Sequence, residues 1–151
     1  MAELIQAIRG MTEETREYTR ATIDRRLDFV DFARVHYISA LHGSGVGNLF
    51  DSVNEAYDSA THPLSTPLLS RLLQKAKETH QPPLVHGRRV KLRYAHPGGH
   101  NPPCIVIHGN QLHALPESYK KFLARFYQKK LKLFGTPVRI TFKTSDNPFG
   151  K

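Results

Sequence analysis

The sequence of 151 residues contains a single cysteine, Cys104, and no tryptophan. One thiol excludes an internal disulfide framework and is typical of a protein in a reducing compartment. No apolar run approaches the roughly 18 residues that a membrane-spanning helix needs. The first ten residues, MAELIQAIRG, lack the basic segment and apolar core of a secretory signal. Together these absences predict a soluble, cytoplasmic protein without a membrane partner.

Acidic residues are almost missing from the second part of the chain. Residues 61–151 hold 16 lysines and arginines but three acids, a net charge of +13. Residues 1–60 hold six arginines, no lysine and ten acids, a net charge of −4, and the two parts add up to the +9 of the whole chain. This asymmetry predicts two modules with different partners. The stretch SATHPLSTP, rich in small polar residues and proline, is the expected boundary.

The first sixty residues predict a helix, a strand and a second helix. Thr12 is expected to cap a helix that reaches about Leu27. The apolar segment ARVHYISA, residues 33–40, predicts a short strand buried on both faces. The glycine-rich turn HGSGVG leads from it into a helix that begins at Asn48 and ends near Ser59. A single helix–strand unit cannot bury its own faces, so this strand is expected to need partner strands from elsewhere.

The remaining residues predict two helices and three strands in the order α-β-β-α-β. Thr66 and Pro67 are a typical helix start. In the following hairpin, residues 88–109, apolar and basic residues alternate, so one face of its first strand is apolar and the other basic. A helix over residues 117–134 carries an apolar and a basic stripe, and a strand follows at residues 138–143. The predicted fold class is therefore α/β (α+β), a small three-stranded sheet covered by helices.

Basic residues recur on the predicted hairpin and the last predicted helix, with hardly any acid near them. This pattern favours contact with RNA phosphates over a merely solvated basic face. The candidate RNA-binding residues are Arg88, Arg89, Lys91, Arg93, Lys121, Arg125, Lys129 and Lys132. Three tyrosines among them, Tyr94, Tyr119 and Tyr127, are interpreted as core or rim residues rather than as platforms for base stacking.

A row of potential metal ligands, His96, His100, Cys104 and His108, recurs every four residues. The glycines and prolines between them exclude a helix. On one strand Cys104 and His108 lie about 13 Å apart, which is too far for a thiolate–imidazole pair or a shared zinc ion. We therefore predict no catalytic residue and no metal site. Cys104 is interpreted as a small core residue, and the histidines as polar surface or phosphate-contacting groups.

Longer blocks of the sequence resemble a known family. The blocks FARVHYISALHGSGVGNLFDSVNEAYDSA, HQPPLVHGRRVKLRYAHPGGHNPPCIVIHGNQ and LPESYKKFL resemble the C-terminal part of the Der (EngA) family of bacterial ribosome-associated GTPases. The resemblance implies a C-terminal remnant of a P-loop GTPase domain at residues 1–60 and a linker at 61–66. It implies a KH-like domain at 67–145 and a flexible tail at 146–151. It also implies that Ser39, Ala40 and Leu41 are the remnant of a guanine-contacting motif.

The sequence departs from the family pattern at several motifs. It has no Walker loop, no Asn-Lys-x-Asp motif before Gly10 and no Gly-x-x-Gly loop of the kind that clamps nucleic acid in ordinary KH domains. GTP and Mg²⁺ are implied for the full-length family. Since phosphoryl transfer needs the phosphate cradle and Mg²⁺, we expect no cofactor, no GTPase activity and no useful GTP affinity from this chain alone.

The resemblance implies a fragment of a GTP-binding protein that acts in the assembly of the large ribosomal subunit. In that role this part binds ribosomal RNA or the ribosome and docks against the GTPase domains. The alternative is a protein-interaction module that contacts GTPase domains or a regulator without binding RNA directly.

Overall fold

The computed structural model of the chain describes residues 12–85 and 87–144, with the side chains of Phe29 and Arg88 excepted. The predicted flexible tail at residues 146–151 lies outside the described residues, as do residues 1–11. The described residues form four α-helices and five strands. In chain order they are α1 (Glu13–Arg26), α2 (Gly47–Thr61), α3 (Thr66–Thr79), β1 (Leu84–Val85), β2 (Arg88–Arg89), β3 (Lys91–Gly99), β4 (Cys104–Asn110), α4 (Glu117–Leu131) and β5 (Arg139–Thr144). None of these helices is long and apolar enough to cross a membrane.

Strands β3, β4 and β5 form a three-stranded sheet with β4 in the centre. β3 pairs with β4 in the antiparallel direction, and β4 pairs with β5 in the parallel direction because α4 makes the crossover between them. The order α3-β3-β4-α4-β5 confirms the predicted order α-β-β-α-β. The two-residue strands β1 and β2 pair with each other and precede β3, which the sequence did not predict.

Helices α3 and α4 pack against one face of the sheet. The buried core residues of these elements are Leu69, Leu72, Leu73, Ala76, Leu92, Ala95, Ile105, Ile107, Tyr119, Leu123 and Tyr127. The hydroxyl of Tyr127, which is fully buried, donates a hydrogen bond of 2.9 Å to the Leu69 carbonyl and ties the two helices together. The core placement of Tyr119 and Tyr127 is thereby confirmed. We call the opposite face of the sheet the outer face.

The predicted strand at residues 33–40 does not form. The segment has no ladder partner, since all the strand pairs of the described residues lie within residues 84–144. Its side chains are also not buried on both faces, since Val35 is 41% exposed and Ile38 is 38% exposed. Side-chain contacts hold the segment instead. His36 Nε2 lies 2.6 Å from the Ser52 hydroxyl, and Arg34 forms an ion pair with Glu55.

Two predicted helix ends also differ from the structure. Ser65 rather than Thr66 precedes α3 as its N-terminal cap residue, although Pro67 lies in the first turn as expected. The last helix, α4, ends at Leu131 rather than Phe134, because Lys132 adopts a left-handed backbone conformation with a φ of 53°. The N–H of Lys132 then donates to the carbonyls of Gln128 and Lys129, which closes the helix. Lys132 therefore lies beyond the basic stripe that the sequence placed it on.

Among the described residues, four hydrogen bonds join residues 31–60 to the C-terminal half. Ser59 Oγ accepts from the Phe134 N–H at 3.0 Å. Arg125 Nε donates to Asp31 at 2.7 Å. Two backbone bonds, from Gly135 to the Phe32 carbonyl at 2.8 Å and from Asn101 to the Ala60 carbonyl at 2.9 Å, complete the set. We call these four bonds the docking contacts.

Candidate nucleic-acid interface

A β-bulge in β3 determines which side chains reach the outer face. Leu92 lies opposite Gly109 and Tyr94 lies opposite His108, so Arg93 is an extra residue in β3. A bulge shifts the alternation of side chains by one residue. Leu92 is therefore buried against the helices, whereas Tyr94 turns outward and is 45% exposed. The predicted alternation of apolar and basic residues, which placed Tyr94 on the same face as Leu92, is wrong at Tyr94 for this reason.

Three rings lie together on the outer face, and we call Tyr94, His96 and His108 the ring cluster. Tyr94 and His108 are stacked with ring centroids 4.6 Å apart and an angle of 4° between their planes. His96 stacks on His108 at 5.1 Å. The Nε2 atoms of the two histidines lie 3.1 Å apart. The cluster thus joins a cross-strand aromatic pair with a histidine–histidine hydrogen bond.

The hydrogen bonds of the ring cluster define the protons on both histidines. His96 Nδ1 lies 2.8 Å from the Pro97 carbonyl, which can only accept, so His96 carries its proton on Nδ1. Its Nε2 then accepts, and His108 must donate from Nε2. Burial, and then the neighbouring charges of His96 and Lys143, lower the pKa of His108 from its ordinary value of 6.5. The arrangement therefore favours a neutral His108.

We expect the stability of the chain to fall as the solution is acidified below the ordinary histidine pKa. Because the pKa of His108 is lower in the folded chain than in the unfolded chain, the unfolded chain binds more protons in this window. The groups that face His108 are His96 and Tyr94 on β3 and Lys143 on β5, and none of them can compensate a new positive charge. Urea unfolding between about pH 5 and pH 8 measures this effect.

His108→Gln is the matched variant for this measurement, because glutamine keeps an N–H donor and does not titrate. Its free energy of unfolding should change less with pH than that of the unchanged chain. Equal pH dependence of the two proteins would contradict a neutral His108 in the folded state.

The candidate RNA-binding residues of the hairpin lie along β2 and the edge strand β3. Arg89, Lys91 and Arg93 are exposed, and we call these three the cationic edge. They line a groove of about 440 Å³ between β3 and α3, together with Lys77 and Glu78 among others. Lys77 Nζ donates to the Leu92 carbonyl at 3.2 Å. Arg88 belongs to β2, next to Arg89.

The other candidate RNA-binding residues lie on or after α4, away from the cationic edge. Lys121, Arg125 and Lys129 are exposed, on the side of α4 opposite the buried Leu123 and Tyr127. They therefore face away from the sheet. The guanidinium of Arg125 is also engaged, since it pairs with Asp31. The candidates that sequence analysis grouped together thus form two separate surfaces.

Ser39, Ala40 and Leu41, which the resemblance assigns to the remnant of a guanine-contacting motif, lie before α2. Ser39 Oγ accepts from the N–H of His42 at 3.3 Å, and its own N–H donates to the Ser44 carbonyl at 2.9 Å. Ala40 is exposed, and Leu41 is 70% exposed. These bonds give the turn a defined shape and leave Leu41 accessible.

The row of histidines and cysteine is divided by the hairpin. Within the described part of the chain, no group of three or more histidine, cysteine, aspartate or glutamate side chains could hold a metal ion. Cys104 is half-buried on the outer face, with Sγ 3.7 Å from the Thr141 hydroxyl, so its interpretation as a core residue is wrong. In the pairing of β4 with β5, Cys104 lies opposite Arg139.

The ring cluster was not predicted, because its residues lie on two strands and their spacing was measured along one strand only. A hairpin turn centred on Asn101 would have placed Tyr94 opposite His108, because each lies seven residues from it. The pairing of β4 with β5 places Lys143 beside His108. The outer face thus combines three rings with positive charge.

Comparison with known proteins identifies the C-terminal half. Residues 64–143 match the family described as the KH-domain-like domain of EngA bacterial GTPase enzymes, C-terminal. Proteins named GTPase Der are similar over 140 residues, with 61% identity in Klebsiella pneumoniae, 59% in Glaesserella parasuis and 58% in Haemophilus influenzae. The aligned region covers 93% of this chain but spans only 28% of the length of these relatives. Since the family match covers more than half of the chain, the chain belongs to the KH-domain-like C-terminal family of the EngA bacterial GTPases.

Proposed function

We propose that this chain is the RNA-binding part of a GTP-binding protein that acts in the assembly of the large ribosomal subunit. The observation that carries the proposal is the cationic edge, where three exposed cations follow one another along β2 and β3. No acid occurs between Glu78 and Glu117 in the sequence. In the groove beside the edge, one acid, Glu78, faces four cations, since Lys77 joins the three of the edge. The surface therefore keeps a net positive charge that attracts phosphates.

The proposed partner is ribosomal RNA, and the proposed place of action is the cytoplasm. Relatives named GTPase Der support the link to GTP, and GTP and Mg²⁺ are proposed as cofactors of the longer protein. In that protein Ser39, Ala40 and Leu41 would contact the guanine base. This chain contributes the turn but not the phosphate-binding loop, so we propose that it does not hydrolyse GTP by itself.

A salt series tests the proposed RNA binding. The chain is titrated into a fragment of large-subunit ribosomal RNA at salt concentrations between about 0.05 and 0.2 M. If each of the three cations of the edge contacts one phosphate of single-stranded RNA, log K should fall with log salt at a slope of about −2. RNA binding that is absent, or that does not depend on salt, would contradict the proposal.

The second candidate function, docking between protein domains, is favoured by a different observation. Arg125 of α4 pairs with Asp31 at 2.7 Å, and the Phe134 N–H donates to Ser59. These bonds join the KH-like half to the part of the chain that resembles a GTPase domain. All four docking contacts involve residues outside the cationic edge. The edge is therefore the surface that we assign to RNA, and the α4 side is the surface that we assign to docking.

A further inference from the structure

The ring cluster on the outer face has a geometry that suits a flat ligand. Tyr94 is covered by His108 on one side, in a parallel stack. It is nevertheless 45% exposed, so the rest of the ring is open to solvent. A bulge at Arg93 is the reason that the ring lies there at all, because regular alternation would bury it with Leu92. Bulges often direct a side chain toward a binding site.

The hydrogen bonds of the cluster hold its rings before any ligand arrives. His96 is fixed by the Pro97 carbonyl, and His108 is fixed by His96. His108 in turn lies parallel to Tyr94 at 4.6 Å. A ring that is already oriented loses little conformational entropy on binding. The cluster is thus a pre-organised aromatic surface rather than three independent side chains.

The charge around the cluster indicates the chemistry of the ligand. Lys143 lies beside His108 on β5, and Arg93 precedes Tyr94 and is exposed. An aromatic platform between cations is the arrangement by which proteins bind single-stranded nucleic acids, since the rings stack on bases while the cations contact the backbone. In a duplex the faces of the bases are covered by their neighbours and cannot stack on a protein ring.

We propose that Tyr94, His96 and His108 form a stacking platform for an unpaired base of RNA. This inference rests on the RNA binding proposed above and extends it, because it assigns recognition to the outer face of the sheet and specifies single-stranded RNA. Arg93 and Lys143 contact the phosphates on either side of the stacked nucleotide. The platform compensates for the Gly-x-x-Gly loop that the sequence lacks.

Replacement of Tyr94 tests the platform. We expect Tyr94→Leu to weaken the binding of a short single-stranded RNA by about tenfold, and to leave the affinity for an RNA duplex unchanged. Tyr94→Phe keeps the ring and should stay within about twofold of the original affinity. An RNA with one abasic nucleotide at the stacked position should bind the unchanged chain more weakly, and should bind Tyr94→Leu as well as the complete RNA does.

The dependence of binding on salt separates this proposal from the proposed function. If the chain binds RNA with a steep salt dependence but Tyr94→Leu loses no affinity, the platform is wrong and RNA binding stands. If Tyr94→Leu loses single-strand and duplex affinity equally, the platform is also wrong. If the chain binds no RNA, both proposals are wrong.

A second variant measures stacking directly. The sequence contains no tryptophan, so Tyr94→Trp introduces a single indole at the platform. Single-stranded RNA should quench its fluorescence, whereas the RNA that is abasic at the stacked position should not. Equal quenching by both RNAs, or none by either, would overturn the platform.

Discussion

We expect replacement of Arg89, Lys91 and Arg93 by glutamate to lower the affinity for single-stranded ribosomal RNA at least about 100-fold. The three side chains are exposed and occupy one edge of the protein. Their loss removes three phosphate contacts, and the new carboxylates repel the backbone. The slope of log K against log salt should become less steep by about 2. Fluorescence anisotropy over a salt series measures both quantities.

The other three unpaired candidates provide the matched comparison. Lys121→Glu, Lys129→Glu and Lys132→Glu change the net charge by the same amount, but on or directly after α4 rather than at the cationic edge. We expect the RNA affinity of this triple variant to fall by less than about tenfold, because only long-range repulsion acts there. Equal losses in both triples would show that net charge, rather than the cationic edge, determines RNA affinity.

The free energy of unfolding of the variant with three glutamates at the cationic edge must be measured as well. Substitution of an exposed residue outside a special backbone position usually changes the free energy of unfolding by less than about 0.5 kcal/mol. The triple should therefore stay within about 1.5 kcal/mol of the unchanged chain. A larger loss would mean that these side chains pack against the protein, for instance within the groove beside α3, and would contradict the assignment of the edge to RNA.

The helices of this protein were predictable because each carries its own evidence. The cap at Thr12 is confirmed by the bond from the Thr15 N–H to Thr12 Oγ1 at 3.3 Å. The leucines of α3 repeat with helical spacing, and Leu69, Leu72 and Leu73 are buried as the pattern requires. A helix closes its hydrogen bonds within one segment, so local spacing contains most of the information.

Strands carry less local information, and both strand errors have that origin. The segment at residues 33–40 has the composition of a strand, but a strand forms only beside a partner. The spacing of Leu92 and Tyr94 predicts that both lie on one face of the strand, but the bulge at Arg93 turns Tyr94 to the opposite face. Bulges depend on the register of two strands, which alternation within one strand does not contain.

The positive charge of the candidate site was predictable from the sequence, but the positions of its residues were not. Composition alone indicated a polyanion partner, because the acids end almost completely after residue 60. The separation of the candidates into the cationic edge and the α4 surface depends on which strand lies at the edge of the sheet. The pairing of Arg125 with Asp31 joins residues 94 positions apart, a contact that no local pattern indicates.

The docking contacts give the second large prediction, which concerns Gly135. This glycine has a φ of +68°, and a Cβ at its position would overlap the Cβ of Ala56 in α2. Its N–H also donates to the Phe32 carbonyl. Gly135→Ala therefore combines the left-handed backbone penalty of about 1–2 kcal/mol with an overpacking cost of about 1–3 kcal/mol. We expect a loss of about 2–5 kcal/mol in the stability of the packing between α2 and the KH-like half.

Gly87→Ala separates these two causes, because Gly87 has a similar φ of +72° but no heavy atom within 4 Å of the added Cβ. The stability of this variant should fall by the backbone penalty alone. Amide hydrogen exchange distinguishes the two variants, since Gly135→Ala should lower the protection of α1 and α2 by tenfold or more while the core of the sheet stays protected. Gly87→Ala should leave α1 and α2 unchanged. Equal exchange in both variants would mean that the docking contacts do not hold the N-terminal helices. If α1 and α2 are released and RNA affinity is retained, the cationic edge acts independently of docking, as the separation of the two surfaces requires.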